Sequence, residues 1–531
     1  MQQIERERVP SGRANPQPAV PPLPAATTPA SGASVFVSRF RFIGNTLVPE
    51  GDLADAVARF ENRFLTFDEL QAAAAAVAQR YREAGWVVRT LLPAQEIDAG
   101  VVTIEVIESR FGSAVFDEPP EAPVSARVLR LVRRQLPAGE PVRASAVDRA
   151  ILLANDLPGV EVAGSLAEGA GPGEVDLLLR LSMSPRFGAT ALIDNAGGRA
   201  TGTSRVLLSL VDNAAPTVGN QLTGLVLHGS GTDYIRIGYS VPVGSDGWRL
   251  GLNASKLDYR VVLPELSALD AGGQSRSTGL ETSYPMVRSG MANLVMTAAL
   301  DAKSFDNTVG ATTTSGYRSD ALSAGLSAQI ADDKGGGVTT LAVTPTVGRL
   351  NLEGSPNRDL IALTTRTEGT FSKLRYAIGR LQPLEEGLTV SISLTGQYSS
   401  GNLDSSEKFS LGGSTGVRAY PSGEASGDSG HLLTTELRWL ATPAAQVVAF
   451  YDWGHVKVNA DNAFSGAPEL NRFSLRGVGL AIVWQLREAG LQLAASVSQR
   501  VGRNPNANAS GFDQDGSLVR NRLWLTASAT L

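Results

Sequence analysis

The feature that most constrains this chain is a long series of alternating segments between Arg186 and Leu531. Each segment is roughly ten residues long, and within it apolar residues alternate with small or polar ones. In one of them, Leu388, Val390 and Ile392 fall on one face, and the intervening Thr and Ser residues fall on the other. One face suits lipid and the other suits water, which is the sequence signature of a transmembrane β-barrel.

Sixteen such segments can be distinguished, and bacterial single-chain barrels have an even number of strands. The predicted strands lie near residues 186–197, 203–213, 221–229, 232–242, 246–258, 273–284, 291–303, 317–330, 337–350, 368–381, 387–399, 431–441, 444–454, 473–486, 490–501 and 520–531. Every second connection is short, which predicts periplasmic turns. Most of the others, such as 304–316, are long, which predicts cell-surface loops. The connections near Gly198 and Gly229 are short too, so the alternation of loop lengths is incomplete there.

Composition excludes several classes of protein. A chain of 531 residues exceeds one ordinary domain, so a barrel plus further domains is expected. The absence of cysteine excludes disulfides and thiolate metal sites, and no P-loop, dinucleotide fingerprint or metal-spaced histidine pair occurs, so neither metal nor cofactor is predicted. A net charge of −5 gives no reason to expect nucleic acid as a partner. No apolar run is long enough for a membrane-spanning helix, and the sequence after Met1 has no apolar signal core, so we expect that an export signal has been removed.

The amino-terminal part of the chain differs from the alternating part. Residues 1–33 are rich in Pro and Ala and predict a flexible linker. Two units of similar pattern follow, at 34–110 and 111–185, each with the predicted order β-α-α-β-β. In the first unit, Thr66 and Glu69 have the spacing of a capping box at the start of its longer helix.

These features together resemble the superfamily of outer-membrane translocases and insertases in which POTRA domains precede a barrel. The stretch FIGNTLVP at 42–49 resembles the start of a first POTRA domain, and LGGSTGVRAYPSGEASGD at 411–428 is similar to the VRGY signature of the sixth extracellular loop. Two tandem units are the number found in the two-partner secretion transporters (TpsB), also called hemolysin secretion/activation proteins. The resemblance covers almost all of the chain from Ser34.

The resemblance implies that a loop at 405–430, between the eleventh and twelfth strands, folds back into the barrel lumen. The loop residues that carry the motif are Gly412, Gly413, Val417, Arg418 and Tyr420, and the matching motif on the thirteenth strand consists of Phe450, Asp452 and Gly454. The chain departs from the family in three ways. Ala419 stands where the family has glycine, Leu531 stands where such barrels more often end in Phe, and no amino-terminal plug helix is evident.

The resemblance and the alternation together predict a lumen latch. On the thirteenth strand, alternation points Asp452 into the lumen, where Arg418 could pair with it bidentately. In a wet lumen such a pair is worth about 1 kcal/mol. The alternative is that Arg418 is an ordinary solvated loop arginine. Glu436 and Arg438 face the lumen on the twelfth strand and are expected to be ordinary wet lumen charges rather than substrate ligands.

The function implied by the resemblance is export of an unfolded partner exoprotein across the outer membrane of a Gram-negative bacterium. The POTRA domains would capture the partner by strand addition in the periplasm. We expect a monomer in contact with outer-membrane lipid and lipopolysaccharide. The alternatives are a membrane insertase with a seam between the first and last strands, and a passive porin.

One motif favours an enzyme instead. Residues 412–416 match the G-x-S-x-G nucleophile elbow, which requires a strand before it and a helix after it. The following VRAYPSG does not favour a helix, and the bases to be considered are His228, His431 and His455. We therefore do not predict an enzyme.

Overall fold

The computed structural model of the protein describes residues 34–118, 124–333 and 335–531. The linker predicted at 1–33 lies outside the described residues. The chain forms two small α/β units followed by a barrel.

The first unit packs two helices against a three-stranded sheet. Its elements are β1 Ser34–Val37, β2 Arg39–Ile43, α1 Glu50–Val57, β3 Arg63–Thr66, α2 Phe67–Glu83, β4 Val88–Leu91 and β5 Val101–Glu108. In the sheet, β5 lies between β2, which is parallel to it, and β4, which is antiparallel. The predicted order β-α-α-β-β has one strand before the first helix, but the structure has two, because burial changes phase between Val37 and Phe40 at Ser38. The first of them pairs with β3, which the sequence did not predict.

The capping box predicted at the start of α2 is confirmed. The Glu69 backbone N–H donates to the Thr66 hydroxyl over 3.3 Å, and the Thr66 N–H donates to the Glu69 carboxylate over 2.8 Å. Both groups are donors that the helix itself leaves unsatisfied. From this start, α2 buries Leu70, Val77 and Tyr81 against the sheet.

The second unit repeats this order. Its elements are β6 Arg110–Phe116, α3 Ser125–Gln135, α4 Ala144–Asn155, β7 Val160–Glu168 and β8 Glu174–Met183. The sheet again places the last strand in the middle, parallel to β6 and antiparallel to β7. Within the described residues, no helix combines the length and apolar character that crossing a membrane requires.

The third part is a closed antiparallel barrel of sixteen strands, as predicted. The strands are β9 Phe187–Asp194, β10 Arg205–Asp212, β11 Gln221–Gly229, β12 Thr232–Val243, β13 Trp248–Arg260, β14 Ala271–Arg288, β15 Ala292–Val309, β16 Thr312–Ala331, β17 Val338–Asn351, β18 Gly369–Glu385, β19 Leu388–Ser399, β22 Ser429–Thr442, β23 Ala445–Lys457, β24 Arg472–Leu486, β25 Leu491–Arg500 and β26 Asn521–Thr530. A short helix α5, Arg358–Leu363, lies between β17 and β18, and a small hairpin of β20 Phe409–Ser410 and β21 Ser426–Gly427 lies between β19 and β22. The barrel closes where β26 pairs with β9.

One predicted surface loop is wrong. The segment 304–316 continues both neighbouring strands, so that β15 and β16 are joined by a tight turn at Gly310 and Ala311. The rings of Phe305 and Tyr317 stack across the two strands at 4.8 Å between centroids. Such cross-strand aromatic pairs stabilise an extended hairpin, which the polar composition of the segment concealed.

The second unit docks on the periplasmic turns of the barrel. Arg288, at the end of β14, forms a bidentate ion pair with Asp156 at 2.8 and 2.9 Å. Arg149 of α4 donates to the carbonyl of Pro285 over 2.9 Å. These contacts fix the second unit at the mouth of the pore.

Candidate functional site

The connection between β19 and β22, residues 400–428, lies inside the barrel and is called the lumen loop here. It leaves the wall after Ser399 and rejoins it at Ser429, so its bounds differ slightly from the predicted 405–430. Its apolar side chains pack against the inward-facing Val456, Phe473 and Leu475 of β23 and β24. The lumen loop therefore fills part of the pore.

Glycines shape the tip of the lumen loop. A Cβ atom on Gly412 would overlap the carbonyl of Pro421, and one on Gly416 would overlap the carbonyl of Leu411. Gly413 has a φ of +101°, which L side chains rarely adopt. The resulting tight turn buries Val417 and Tyr420 and places Arg418 between them.

The guanidinium of Arg418 meets the carboxylate of Asp452 in the bidentate arrangement. Nε donates to Oδ2 over 2.8 Å and Nη2 donates to Oδ1 over 2.7 Å, and the Arg418 backbone N–H adds a third bond of 3.1 Å. Asp452 lies on the inward face of β23 and is 0% exposed. The carboxylate is shielded from water, so the expectation of a wet environment does not hold at this site, and removal of the cation would leave a buried charge.

Glu436 also belongs to this cluster. It accepts a bond of 2.8 Å from Arg418 Nη1 and two bonds, of 2.9 and 2.7 Å, from Arg438. Glu436 and Arg438 were expected to be ordinary wet lumen charges, but the side chain of Glu436 is only 13% exposed and belongs to the cluster around Arg418. The ring of Phe450, also inward-facing on β23, lies 3.4 Å from the Arg418 guanidinium carbon, in the position of a cation–π contact.

Two further residues hold the tip through its backbone, and the sequence analysis missed both. The Arg418 carbonyl accepts a bond of 2.6 Å from the Ser498 hydroxyl and one of 2.8 Å from the Trp524 indole N–H. Trp524 is a large aromatic residue on the water-facing side of β26, whereas Leu523 and Leu525 face outward. A large aromatic side chain on the water-facing side of a barrel strand is unusual, and this signal could have identified Trp524. Ser498 carries no such signal.

Two wall glycines make room for the tip. A Cβ atom on Gly454 would lie 2.6 Å from Leu411, and one on Gly477 would lie 2.7 Å from the Cβ of Ala419. The backbone of Ala419 lies outside the left-handed region, so alanine is accommodated there without strain. Gly477 supplies the space that the extra methyl group of Ala419 needs.

A second ionic cluster holds the first part of the lumen loop. Glu407 pairs with Lys373 of β18 and, over 3.1 Å, with Lys303 of β15. Its carbonyl accepts bonds from Lys373 (3.1 Å) and from Gln397 (2.9 Å). Glu407 and Lys373 are 3% and 6% exposed. Burial raises the pKa of Glu407, but the two ammonium groups outweigh burial and hold that pKa below its ordinary value.

A third contact joins the lumen loop to the surface loop 501–520. The Glu424 carboxylate accepts bonds from the Asn504 amide (2.6 Å) and from the Gln514 backbone N–H (2.9 Å). Asp513 lies close by, where Arg500 and Arg522 neutralise it. Burial raises the pKa of Glu424 to about 7, and the two hydrogen bonds only partly oppose this.

The nucleophile-elbow alternative does not fit the structure. Residues 412–416 are followed by a turn and a short strand rather than a helix. His431 and His455 pair with each other on the outward face of the wall, and His228 pairs with Asp233 at the outer surface. The wall separates them from Ser414. Within the described residues no group of three metal-ligating side chains was found.

Comparison with known proteins agrees with this architecture. Residues 173–481 match the family model described as haemolysin secretion/activation protein ShlB/FhaC/HecB, and residues 35–109 match the ShlB-type POTRA domain. The chain belongs to the haemolysin secretion/activation protein family ShlB/FhaC/HecB. This family membership makes it an outer-membrane transporter that secretes a partner protein, with its amino-terminal POTRA domain in the periplasm.

Relatives of this family match over most of their length. The heme/hemopexin transporter protein HuxB of Haemophilus influenzae is 25% identical over 517 residues, which cover 95% of this chain and 90% of HuxB. The outer membrane transporter CdiB of Dickeya dadantii is 25% identical over 80% of this chain and 77% of its own. The solved structure of CdiB from Escherichia coli has the same fold, with a TM-score of 0.70 at 19% identity over 97% of this chain and 94% of that one. These matches do not favour a membrane insertase.

Proposed function

We propose that the lumen loop is the gate of the secretion pore and that Arg418 and Asp452 are its latch. The observation that carries this proposal is the bidentate pair between the tip of a loop that fills the lumen and a fully buried wall carboxylate. A buried ion pair with three hydrogen bonds holds the tip in one defined position, and water can replace these hydrogen bonds when the lumen opens. Release of the tip would clear a path for an extended polypeptide.

We further propose that residues 34–110 and 111–185 act as two POTRA domains that deliver the partner. The outer strands of the two sheets are β2 and β4 in the first unit and β6 and β7 in the second. The start of β6 is already covered, because Phe111 exchanges backbone hydrogen bonds with Gly139 and Glu140. An extended segment of an unfolded exoprotein can add to an uncovered sheet edge through backbone hydrogen bonds. The second unit docks at the pore mouth, so a captured segment would be handed directly to the lumen.

We also propose that the protein works as a monomer in contact with outer-membrane lipid and lipopolysaccharide, performs no catalysis, and does not act on nucleic acid. The net charge of −5 supports the last point, because nucleic-acid binding depends on basic surfaces.

Disulfide tethering tests the gate, since the chain has no cysteine of its own. The Ser422 hydroxyl donates to the Ala196 carbonyl over 3.0 Å, so Ser422→Cys with Ala196→Cys would tie the tip to the end of β9. We expect oxidation to stop secretion of the cognate partner and reduction to restore it.

The matched control is Ser410→Cys with Ser426→Cys. These residues are cross-strand partners in the small hairpin, so their disulfide staples the lumen loop without tying it to the wall. It should leave secretion unchanged. Secretion by the oxidised tip-to-wall variant at the normal rate would show that the lumen loop need not move.

A further inference from the structure

Five basic side chains cluster on the outer side of the barrel wall, near the cell-surface ends of three neighbouring strands. They are His431 on β22, His455 and Lys457 on β23, and Arg472 and Arg476 on β24. On β23 and β24 they alternate with buried, inward-facing residues, so they face the membrane. The cross-strand pairs His431 with His455 and Lys457 with Arg472 place them side by side, and this group is called the rim patch.

The rim patch has no acidic counterpart. None of the outward-facing positions of β22, β23 and β24 carries Asp or Glu. Among the described residues, the guanidinium groups of Arg472 and Arg476 have no ion-pair partner, and both arginines are exposed. Lys457 donates only to the carbonyl of Ala460, over 2.6 Å. The rim patch therefore presents positive charge that the protein itself does not neutralise.

The opposite side of the barrel shows that this is not a general property of the rim. Two outward-facing basic groups near the surface end there, one on β11 and one on β13, have acidic partners. His228 lies 2.6 Å from Asp233, and Lys256 lies 2.8 Å from Asp258. Arg260 and Arg276 on that side donate to the Ser230 carbonyl and to the Gln274 side chain, so basic and acidic groups are mixed there, whereas the rim patch is basic throughout.

The depth of the rim patch fits the headgroups of the outer leaflet. Trp484, on the outer face near the periplasmic end of β24, is eight residues from Arg476. At about 3.4 Å per residue and a tilt of about 40°, Arg476 lies roughly 21 Å above Trp484, close to the top of an apolar band about 25 Å tall. Arg472 lies four residues further toward the cell surface, above the hydrocarbon. Trp453, opposite Arg476 on β23, has the interfacial position that indole rings favour.

We propose that the rim patch binds the phosphate groups of lipid A, the phosphorylated glycolipid of the outer leaflet. Arginine presents a planar fork of donors that matches two phosphate oxygens at once, and two such forks stand four residues apart on the outer face of β24. The site is at the level of the lipid headgroups and has the opposite charge. It lies outside the wall next to β23, whose inner face carries Asp452. The inference rests on the proposed contact with lipopolysaccharide, but not on the proposed gating of the pore.

Lipid binding to the purified full-length protein tests this. The probes are diphosphorylated lipid A, the same lipid after enzymatic dephosphorylation, and inorganic phosphate, each measured by native mass spectrometry in detergent. We expect Arg472→Gln with Arg476→Gln to weaken lipid A binding about 25-fold, since each basic residue at an anionic membrane surface contributes a factor of about five. Arg472→Gln alone, above the hydrocarbon and without consequence for insertion, should weaken it about fivefold.

The matched control is Lys256→Gln with Arg276→Gln, which removes two outward-facing charges from the opposite wall. It should leave lipid A binding within twofold of the unmodified protein. The proposal is overturned if both double variants lose binding equally, if neither loses it, or if dephosphorylated lipid A binds as well as the phosphorylated form. Competition by inorganic phosphate at equal concentration would assign the patch to free phosphate instead and would also overturn it.

Discussion

The lumen loop is held by two ionic clusters of opposite design, one at its tip around Arg418 and one at its first part around Glu407, which is called the stem here. At the tip, one guanidinium, that of Arg418, is shared by two carboxylates, Asp452 and Glu436. At the stem, one carboxylate, that of Glu407, is shared by two ammonium groups, Lys303 and Lys373. The tip contacts β22, β23, β25 and β26, whereas the stem contacts β15, β18 and β19. The lumen loop thus connects two sectors of the wall.

This difference determines which part of the lumen loop can detach from the wall. Loss of the single Arg418 leaves the fully buried Asp452 without a cation, so the tip is held or released as a whole. Loss of one lysine at the stem leaves Glu407 with the other. We infer that the stem acts as a hinge that stays in place and that the tip is the part that moves.

The largest effect should come from the latch. We expect Arg418→Ala to weaken the tip contact by about 3–5 kcal/mol, because it leaves the fully buried Asp452 carboxylate without a cation. Asp452→Ala also weakens the contact, because it removes three hydrogen bonds to Arg418, which then keeps only Glu436 as an anionic partner. Secretion of the partner should fall strongly, while heat-modifiable migration shows the same amount of folded barrel. The double variant should be little worse than either single one, because interacting residues are non-additive. Additive losses would show that the two residues act separately.

The stability that the Glu424 contact provides should depend on pH near neutrality, unlike that of the two ionic clusters. Its pKa in the folded protein, about 7, is above that of an exposed carboxyl group. The folded state therefore binds the extra proton, so stability from this contact is complete below about pH 4.5 and is lost as pH rises through about 7. The loss is at most about 3.5 kcal/mol, since the pKa is raised from 4.5 to about 7 and one pKa unit corresponds to about 1.4 kcal/mol.

Hydrogen exchange of the lumen loop between pH 5 and pH 8 measures this. Protection, after correction for the intrinsic rate, should fall as pH rises. Glu424→Gln should make the profile flat, because the amide does not ionise. A profile that keeps its slope in Glu424→Gln would assign the pH dependence to another group.

A substitution that disturbs packing at the tip should have a smaller effect than one that removes a charge there. Gly454→Ala would place a methyl group 2.6 Å from Leu411, and such overpacking costs about 1–3 kcal/mol. We expect faster proteolysis of the lumen loop and a partly open channel in planar bilayers. Gly188→Ala on β9 is the control, because nothing lies within 4 Å of the added methyl group there. Equal effects of both substitutions would mean that general strand destabilisation is responsible.

The smallest effect should come from one stem lysine. Lys303→Met leaves Glu407 paired with Lys373, so we expect a loss of about 1 kcal/mol, the value of an ion pair with partial access to water. Lys303→Met with Lys373→Met should cost more than the sum of the two single changes, because only the double variant isolates Glu407. Secretion measured across the three variants tests this. A single lysine loss as severe as the loss of Arg418 would contradict the hinge.

The sequence alone was sufficient for the strands. Side chains of a barrel strand alternate between lipid and water, so a period of two is visible within each segment without knowledge of any partner. The same alternation pointed Asp452 and Glu436 inward, and the motif resemblance brought Arg418 to the thirteenth strand. The alternation did not predict the strands at 304–316, because polar and small residues concealed them and an aromatic pair across the two strands extends them.

Only the tertiary structure decided how the lumen loop is held. Glu407 and Lys303 are 104 residues apart, and Arg418 and Trp524 are 106 apart, so no local pattern relates them. Closure of the barrel sets which wall positions face one another, and the path of the lumen loop decides which of them it meets. Whether a lumen charge is wet or buried depends on that packing, because desolvation is a property of the assembled interior rather than of a residue and its neighbours in sequence.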